Sequence, residues 1–201
     1  HVLPDGNLSC TVISGGFPSI TAEGLAVTHG KWYFEVTCLS AGCMQIGWAT
    51  PDFTGDAITG LGVGDDAKSW AYDGYRQRRW HDAANQAWGP KWSPGSVVCC
   101  ALDADTGTLR FALDGQWNPL GDTVAFEDIP ASQGLVPAAS MSSEERLRFN
   151  LVPQELLWHT LGRGSLALLL LLPLCHEFRL HLGYRVMVLE EPDTAEIDST
   201  N

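Results

Sequence analysis

The chain lacks the marks of common metal and redox sites. Its six cysteines, Cys10, Cys38, Cys43, Cys99, Cys100 and Cys175, include no Cys-x-x-Cys pair, so neither a zinc ribbon nor a thioredoxin-type motif is encoded. Charge is also sparse: 18% of the 201 residues are charged, and 12 basic residues face 24 acidic ones. The resulting net charge of −12 repels a phosphate backbone. It argues against nucleic acid as a ligand and favours a basic partner surface. No basic-then-apolar leader opens the sequence. The apolar run at 166–174 is shorter than the roughly 20 residues of a spanning helix. Arg163 precedes it, Pro173 interrupts it, and His176, Glu177 and Arg179 follow. A helix buried against protein fits better than a membrane span.

Catalytic signatures are missing as well. There is no Gly-x-Ser-x-Gly elbow. Gly60, Gly62 and Gly64 resemble a phosphate cradle, but Asp65 and Asp66 follow, and two carboxylates repel phosphate. Asp103-x-Asp105-x-Gly107 has glycine one place too early for a calcium loop and fits a hairpin turn. His176 and His181 are five apart and do not share a helix face. His81 beside Asp82 is a commonplace pair. No catalytic residue, metal or cofactor is expected. An enzyme would need a pocket of converging titratable groups, and no segment signals one.

What the chain does have is eight tryptophans, 21 glycines and 45% hydrophobic residues. Large rings and frequent turns suit an all-β domain with a substantial core. Residues 31–37, 44–50, 69–72, 97–103, 108–114, 135–141 and 147–151 read as strands, rich in aromatic and β-branched types. In 108–114, Leu109, Phe111 and Leu113 share one face. Adjacent Cys99 and Cys100 point to opposite faces of their strand. The cysteines as a set are expected to be reduced and mostly buried, which favours the cytoplasm or nucleus. Asn7-Leu8-Ser9 is a glycosylation sequon without meaning there. Trp32, Phe34, Ile46, Trp48, Leu102, Leu109 and Phe111 are expected in the core. After Pro153 the character changes: 154–159 and 166–172 look helical, and 190–201 is polar and acidic. The expected division is a β-sandwich over 1–151 and an extension over 152–201.

Tyr72, Tyr75, Arg76, Arg78, Arg79 and Trp80 crowd into nine residues around the Asp73-Gly74 turn. Tyr, Trp and Arg dominate protein-binding hot spots. The alternative is that Tyr72 and Trp80 fill the core while the arginines offset local acids. Tyr75 and Arg76, directly after the turn, are the better surface candidates.

The ordered set of segments resembles the SPRY domain. The matching pieces are GKWYFEV from Gly30, MQIGWAT from Met44, GVGDDAKSWAYDGYRQRRWH from Gly62 and WSPGSVVCCALDADTGTLRFALDG from Trp92. Ala125-Phe126-Glu127, GLVPAAS from Gly134 and Arg148-Phe149-Asn150 complete it, over roughly residues 10–151. The segments are most similar to SPRY domains of RING-type ubiquitin ligases. They are also similar to those of ryanodine receptors around Lys31 to Val36 and Gly62 to Asp66. The resemblance implies two antiparallel sheets packed face to face, a concanavalin-like jelly roll whose edge loops bind a peptide segment or protein surface. Mapped onto this chain, with the turn chemistry above, the candidate contact residues are Thr50, Asp52, Phe53, Thr59, Asp73, Tyr75, Arg76, Arg78, Met141, Ser142, Ser143 and Glu144. They are expected to gather at one edge. Thr50 matches a peptide-holding threonine of SOCS-box adaptors. Thr59 and Ser143 stand where those adaptors have a tyrosine and a tryptophan, so that pocket is not carried over intact. The family ending also departs: Phe149-Asn150-Leu151 runs into Val152-Pro153. The expected function is a non-catalytic interaction module within a larger multidomain protein, recognising substrates for a ubiquitin ligase. The runner-up is a structural docking domain of a large channel.

Overall fold

A computed structural model of the chain describes residues 8–11, 15–22, 24–117, 124–151 and 185–186. The strands are β1 (Leu8–Thr11), β2 (Ser19–Thr21), β3 (Lys31–Cys38), β4 (Met44–Ala49), β5 (Ser69–Asp73), β6 (Arg78–His81) and β7 (Ala84–Ala87). They continue with β8 (Val97–Asp103), β9 (Thr108–Leu113), β10 (Gln116–Trp117), β11 (Val136–Met141), β12 (Arg146–Asn150) and β13 (Arg185–Val186). A single 3-10 turn, Ala131–Gln133, is the only helical element among the described residues.

Two sheets result. The first runs β1-β12-β3-β8-β9-β10, with β13 parallel to β3 beyond the end of β12. The second runs β2-β11-β4-β5-β6-β7. All pairings except β13 with β3 are antiparallel. Alternation along each strand sends one set of side chains between the sheets. From the first sheet come Phe34, Val36, Cys100, Leu102, Leu109, Phe111, Leu147 and Phe149, and from the second Met44, Ile46, Trp48, Trp70, Tyr72 and Met141. Phe34 meets Trp48 edge to face, with ring centres 5.0 Å apart. This is the all-β sandwich expected from the sequence.

The hairpin of β8 and β9 turns where Asp and Gly predict. Asp103 Oδ1 accepts the N–H groups of Asp105 and Thr106 at 3.2 and 3.1 Å, and Gly107 takes φ 64°. Lys31 Nζ lies 3.4 Å from Asp103. Burial raises the Asp103 pKa, but hydrogen bonds from Thr106 and the charge of Lys31 outweigh it, and the net direction is down.

Two expectations change. Trp32 is half-buried, not buried: it sits near the start of β3, and its Nε1–H donates to His29 O at 2.7 Å. Among the cysteines, Cys10, Cys38, Cys43 and Cys100 are free thiols, but Cys99 is disulfide-bonded. The opposite-face expectation explains the split. Cys100 lies between the sheets, whereas Cys99 sits in an outer-face cluster with Tyr33, Ala101 and Ala112. Burial pushes the Cys38 thiol up to about 12. Strands β1, β2, β6, β7 and β10 extend sheets whose centres alone were legible. The helices expected at 154–159 and 166–172 lie outside the described residues. Among those described, no helix is long and apolar enough to cross a membrane.

Candidate interaction surface

The register of the second sheet decides which predicted residues meet. Met44 pairs with Met141 and Ile46 with Tyr72, so the start of β4, the end of β5 and the end of β11 lie together. That end carries Cys43, the 73–76 turn and the 142–145 loop. Ser142 N–H donates to Cys43 O at 3.0 Å. Glu145 accepts from Gly42 N–H at 2.9 Å and from Ser40 Oγ at 2.5 Å, which fixes the 142–145 loop. Trp92 ties in a third segment: its N–H reaches Gly74 O at 3.4 Å and its Nε1–H reaches Gly42 O at 3.3 Å.

Asp73 is completely buried at the end of β5. Its Oδ1 accepts the Arg76 N–H at 2.9 Å, and its Oδ2 pairs with Arg76 Nε. The guanidinium then lies over the Trp80 ring, 4.2 Å from its centre. Trp80 reaches that position because β6 pairs Ala71 with Trp80 on the outer face of the sheet. Arg76 is thus held by a carboxylate behind it and a ring beneath it, while remaining exposed. Burial raises the Asp73 pKa and outweighs the opposing bonds and charge of Arg76. Burial also raises the Cys43 thiol pKa despite the nearby Arg76 charge. Tyr75 is 47% exposed, and Lys91 Nζ stands 5.5 Å from its ring centre.

Other expected contact residues fall elsewhere. Ala49 pairs with Ser69 and Val136, so Thr50 and Asp52 lie at the opposite end of β4. Thr50 is buried and donates to Asp52 Oδ1 at 2.6 Å, and Asp52 pairs with Lys68 at 2.6 Å. The expected single edge is therefore divided. From Thr50 the loop crosses the outer face of the sheet. Phe53 and Val63 pack on Ala49, Ala71 and Ala138, so Phe53 is covered by its own loop. The loop returns where Val63 N–H reaches Ser140 Oγ at 2.8 Å and Gln45 Nε2 lies 3.4 Å from Asp65. Thr59 is exposed near the tip of that loop, where Asp56 Oδ1 accepts its N–H at 3.2 Å. Met141 is completely buried in the core because its alternation points it between the sheets. Asp73 is equally inaccessible, so its part is to hold Arg76. Arg78 is exposed and donates to Asn85 Oδ1 at 2.8 Å. Ser142 and Ser143 are half-buried, and Glu144 is exposed at φ 68°.

Trp80, named in the cluster around the turn with the core as its alternative, forms the platform under Arg76. One participant was not singled out from sequence. Lys91 is distant in sequence and arrives through the Trp92–Gly74 contact, for which no local motif exists. The glycine run is spoken for in another way: Gly62 N–H binds Asp65 Oδ2 at 2.8 Å, and Gly64 N–H binds Ser69 Oγ at 2.7 Å. These amides cradle side chains of the domain itself.

A two-sheet β-sandwich that offers a tyrosine and a braced arginine at one sheet end has the architecture of a protein-interaction module. Residues 31–154 match the SPRY domain family, and the chain belongs to that family. The chain is also 34% identical over 127 residues to the E3 ubiquitin-protein ligase RKP of Arabidopsis thaliana. The match covers 62% of this chain and 9% of that relative, which is a far longer protein. SPRY domains are non-catalytic and mediate protein–protein interactions.

Proposed function

We propose that this domain recognises a protein partner on behalf of a ubiquitin ligase, through the surface built by Tyr75, Arg76, Lys91 and the 142–145 loop. The observation that carries the reading is the bracing of Arg76 between Asp73 and Trp80. A guanidinium held in place before binding loses little conformational freedom when it pairs with a carboxylate or amide. Tyr75 supplies apolar area with a polar tip beside it. The partner segment that fits carries an acidic or amide group next to an apolar anchor. Glu144 favours a basic residue nearby in the partner. The similarity to a ubiquitin ligase supports a role in choosing substrates, with ligase chemistry belonging to other domains. The intracellular setting is proposed on that similarity alone, since the Cys99 disulfide removes the support that reduced cysteines would have lent it.

Photocrosslinking tests it. A benzoylphenylalanine at position 75 of the full chain is expected to capture a defined partner in cells. The same group at Gln133, exposed near the opposite end of the sheet, is expected not to capture it. Equal capture from both positions would overturn the assignment.

A further inference from the structure

A second site lies on the other side of the β6–β7 hairpin. A cavity of about 370 Å³ opens between that hairpin and the segment 124–127. Its polar lining includes Arg79, His81, Gln86 and Glu127, with Phe126 as the ring. The segment 124–126 is attached to the first sheet at β9: Ala125 N–H donates to Leu109 O at 2.8 Å, and Leu109 N–H to Phe126 O at 2.9 Å. The cavity therefore sits where the two sheets part at the margin of the sandwich.

Arg79 spans this gap. One of its terminal nitrogens binds Ala125 O, and the other binds Gln86 Oε1 at 2.5 Å. The guanidinium stands 5.6 Å from the centre of the Phe126 ring. No carboxylate among the described residues lies within ion-pair distance of it. Both of these acceptors are neutral, so among the described residues no carboxylate pairs with its charge, and N–H donors remain. His81 is fixed by stacking on Trp70, with centres 4.7 Å apart, and by a 2.9 Å bond from Nδ1 to Ser69 O. A carbonyl only accepts, so Nδ1 is the donor in that bond.

The adjoining strand supplies a second, independent feature. β7 is the last strand of its sheet, and all four of its residues are exposed. Among the described residues its outward backbone groups have no strand partner, an edge of the kind that accepts an extended chain. Ala84 and Gln86 point to the cavity side. A residue opposite either one in an added strand points the same way.

We propose that β7 accepts an extended acidic peptide segment as an added strand, with one Asp or Glu side chain entering the cavity to pair with Arg79. Glu127 at the cavity disfavours polyanions, so a single acid flanked by uncharged residues fits. This site is separate from the Tyr75–Arg76 surface and stands without it.

The test uses the full chain and a capped probe, acetyl-Thr-Val-Glu-Val-Thr-amide, followed by NMR. Saturable shifts are expected at the amides of Ala84–Ala87 and at Arg79 Nε, with the Glu→Gln probe at least tenfold weaker. Arg79→Gln is expected to abolish the preference for Glu. Ala84→Trp fills the cavity from an exposed position and is expected to abolish binding even where Arg79→Gln fails to fold. Glutarate alone is expected to bind at least tenfold more weakly than the Glu probe. Four results would each overturn the proposal: equal binding of the Gln probe, full binding by Ala84→Trp, glutarate binding as tightly as the peptide, or shifts confined to Tyr75, Arg76 and the 142–145 loop.

Discussion

Asp73 and Arg76 form an ion pair in which one partner is completely buried and the other faces solvent. The carboxylate has no other cation paired with it among the described residues. Arg76→Ala leaves a buried charge uncompensated, which costs about 1–3 kcal/mol or more. Arg76 is therefore a structural as well as a recognition residue. Urea melts of Arg76→Ala, Asp73→Asn and the double variant are expected to show the double variant losing less than the sum of the singles. Strict additivity would mean the pair is not coupled.

The same pair sets a pH dependence. The folded Asp73 pKa is raised above 3.8, chiefly by burial. Folding thus favours the neutral acid more than the unfolded chain does. Its contribution to stability is fully present below 3.8 and is lost as pH rises through the folded pKa. Carbon-13 NMR of the Asp73 carboxyl is expected to titrate above 3.8 in the native chain and higher still in Arg76→Ala. A midpoint below 3.8 would mean that Arg76 outweighs burial.

The core carries its own test. Phe111 is completely buried and lies against Tyr72 and Trp88, with ring centres at 6.0 and 5.8 Å. Phe111→Ala is expected to cost about 3–5 kcal/mol in chemical denaturation. A loss under about 1 kcal/mol would place Phe111 outside the load-sharing core.

Gly64 tests the loop that covers the outer face. Its φ is 97°, and an added Cβ would lie 2.7 Å from Trp80 O and 2.6 Å from Trp80 Cβ. Both the dihedral and the backbone contact oppose any side chain. Gly64→Ala is expected to destabilise the domain by more than about 1 kcal/mol. An unchanged melting temperature would show that the loop does not pack on Trp80 as described.

Much of the fold was legible because the central strands are dense in aromatic, β-branched and other large apolar residues. Lys31–Cys38 and Thr108–Leu113 are examples. The β6–β7 hairpin was not legible as such: apart from Trp80, Arg78–His81 and Ala84–Ala87 are polar or small, and they are strands through the pairing of β6 with β5 and of β7 with β6. The interaction surface was legible in part. The Asp73-Gly74 turn marks Tyr75 and Arg76 as neighbours of a tight bend. The position of Thr50 required the register of β4 with β11, a long-range relation that no local pattern carries. Met141 and Ser142 are adjacent in sequence, yet one is core and the other half-buried. Only the phase of the strand distinguishes them.

The central claim is that Tyr75 and Arg76 make the partner contact. It is tested most directly by titration calorimetry of the crosslinked partner against the full chain, Tyr75→Ala and Arg76→Ala. Circular dichroism melts of the same samples establish that each variant is folded at the assay temperature. Truncating a hot-spot residue typically costs at least about 2 kcal/mol, roughly thirtyfold in affinity. The account predicts a loss of that order for both variants. Wild-type affinity in both folded variants would contradict it.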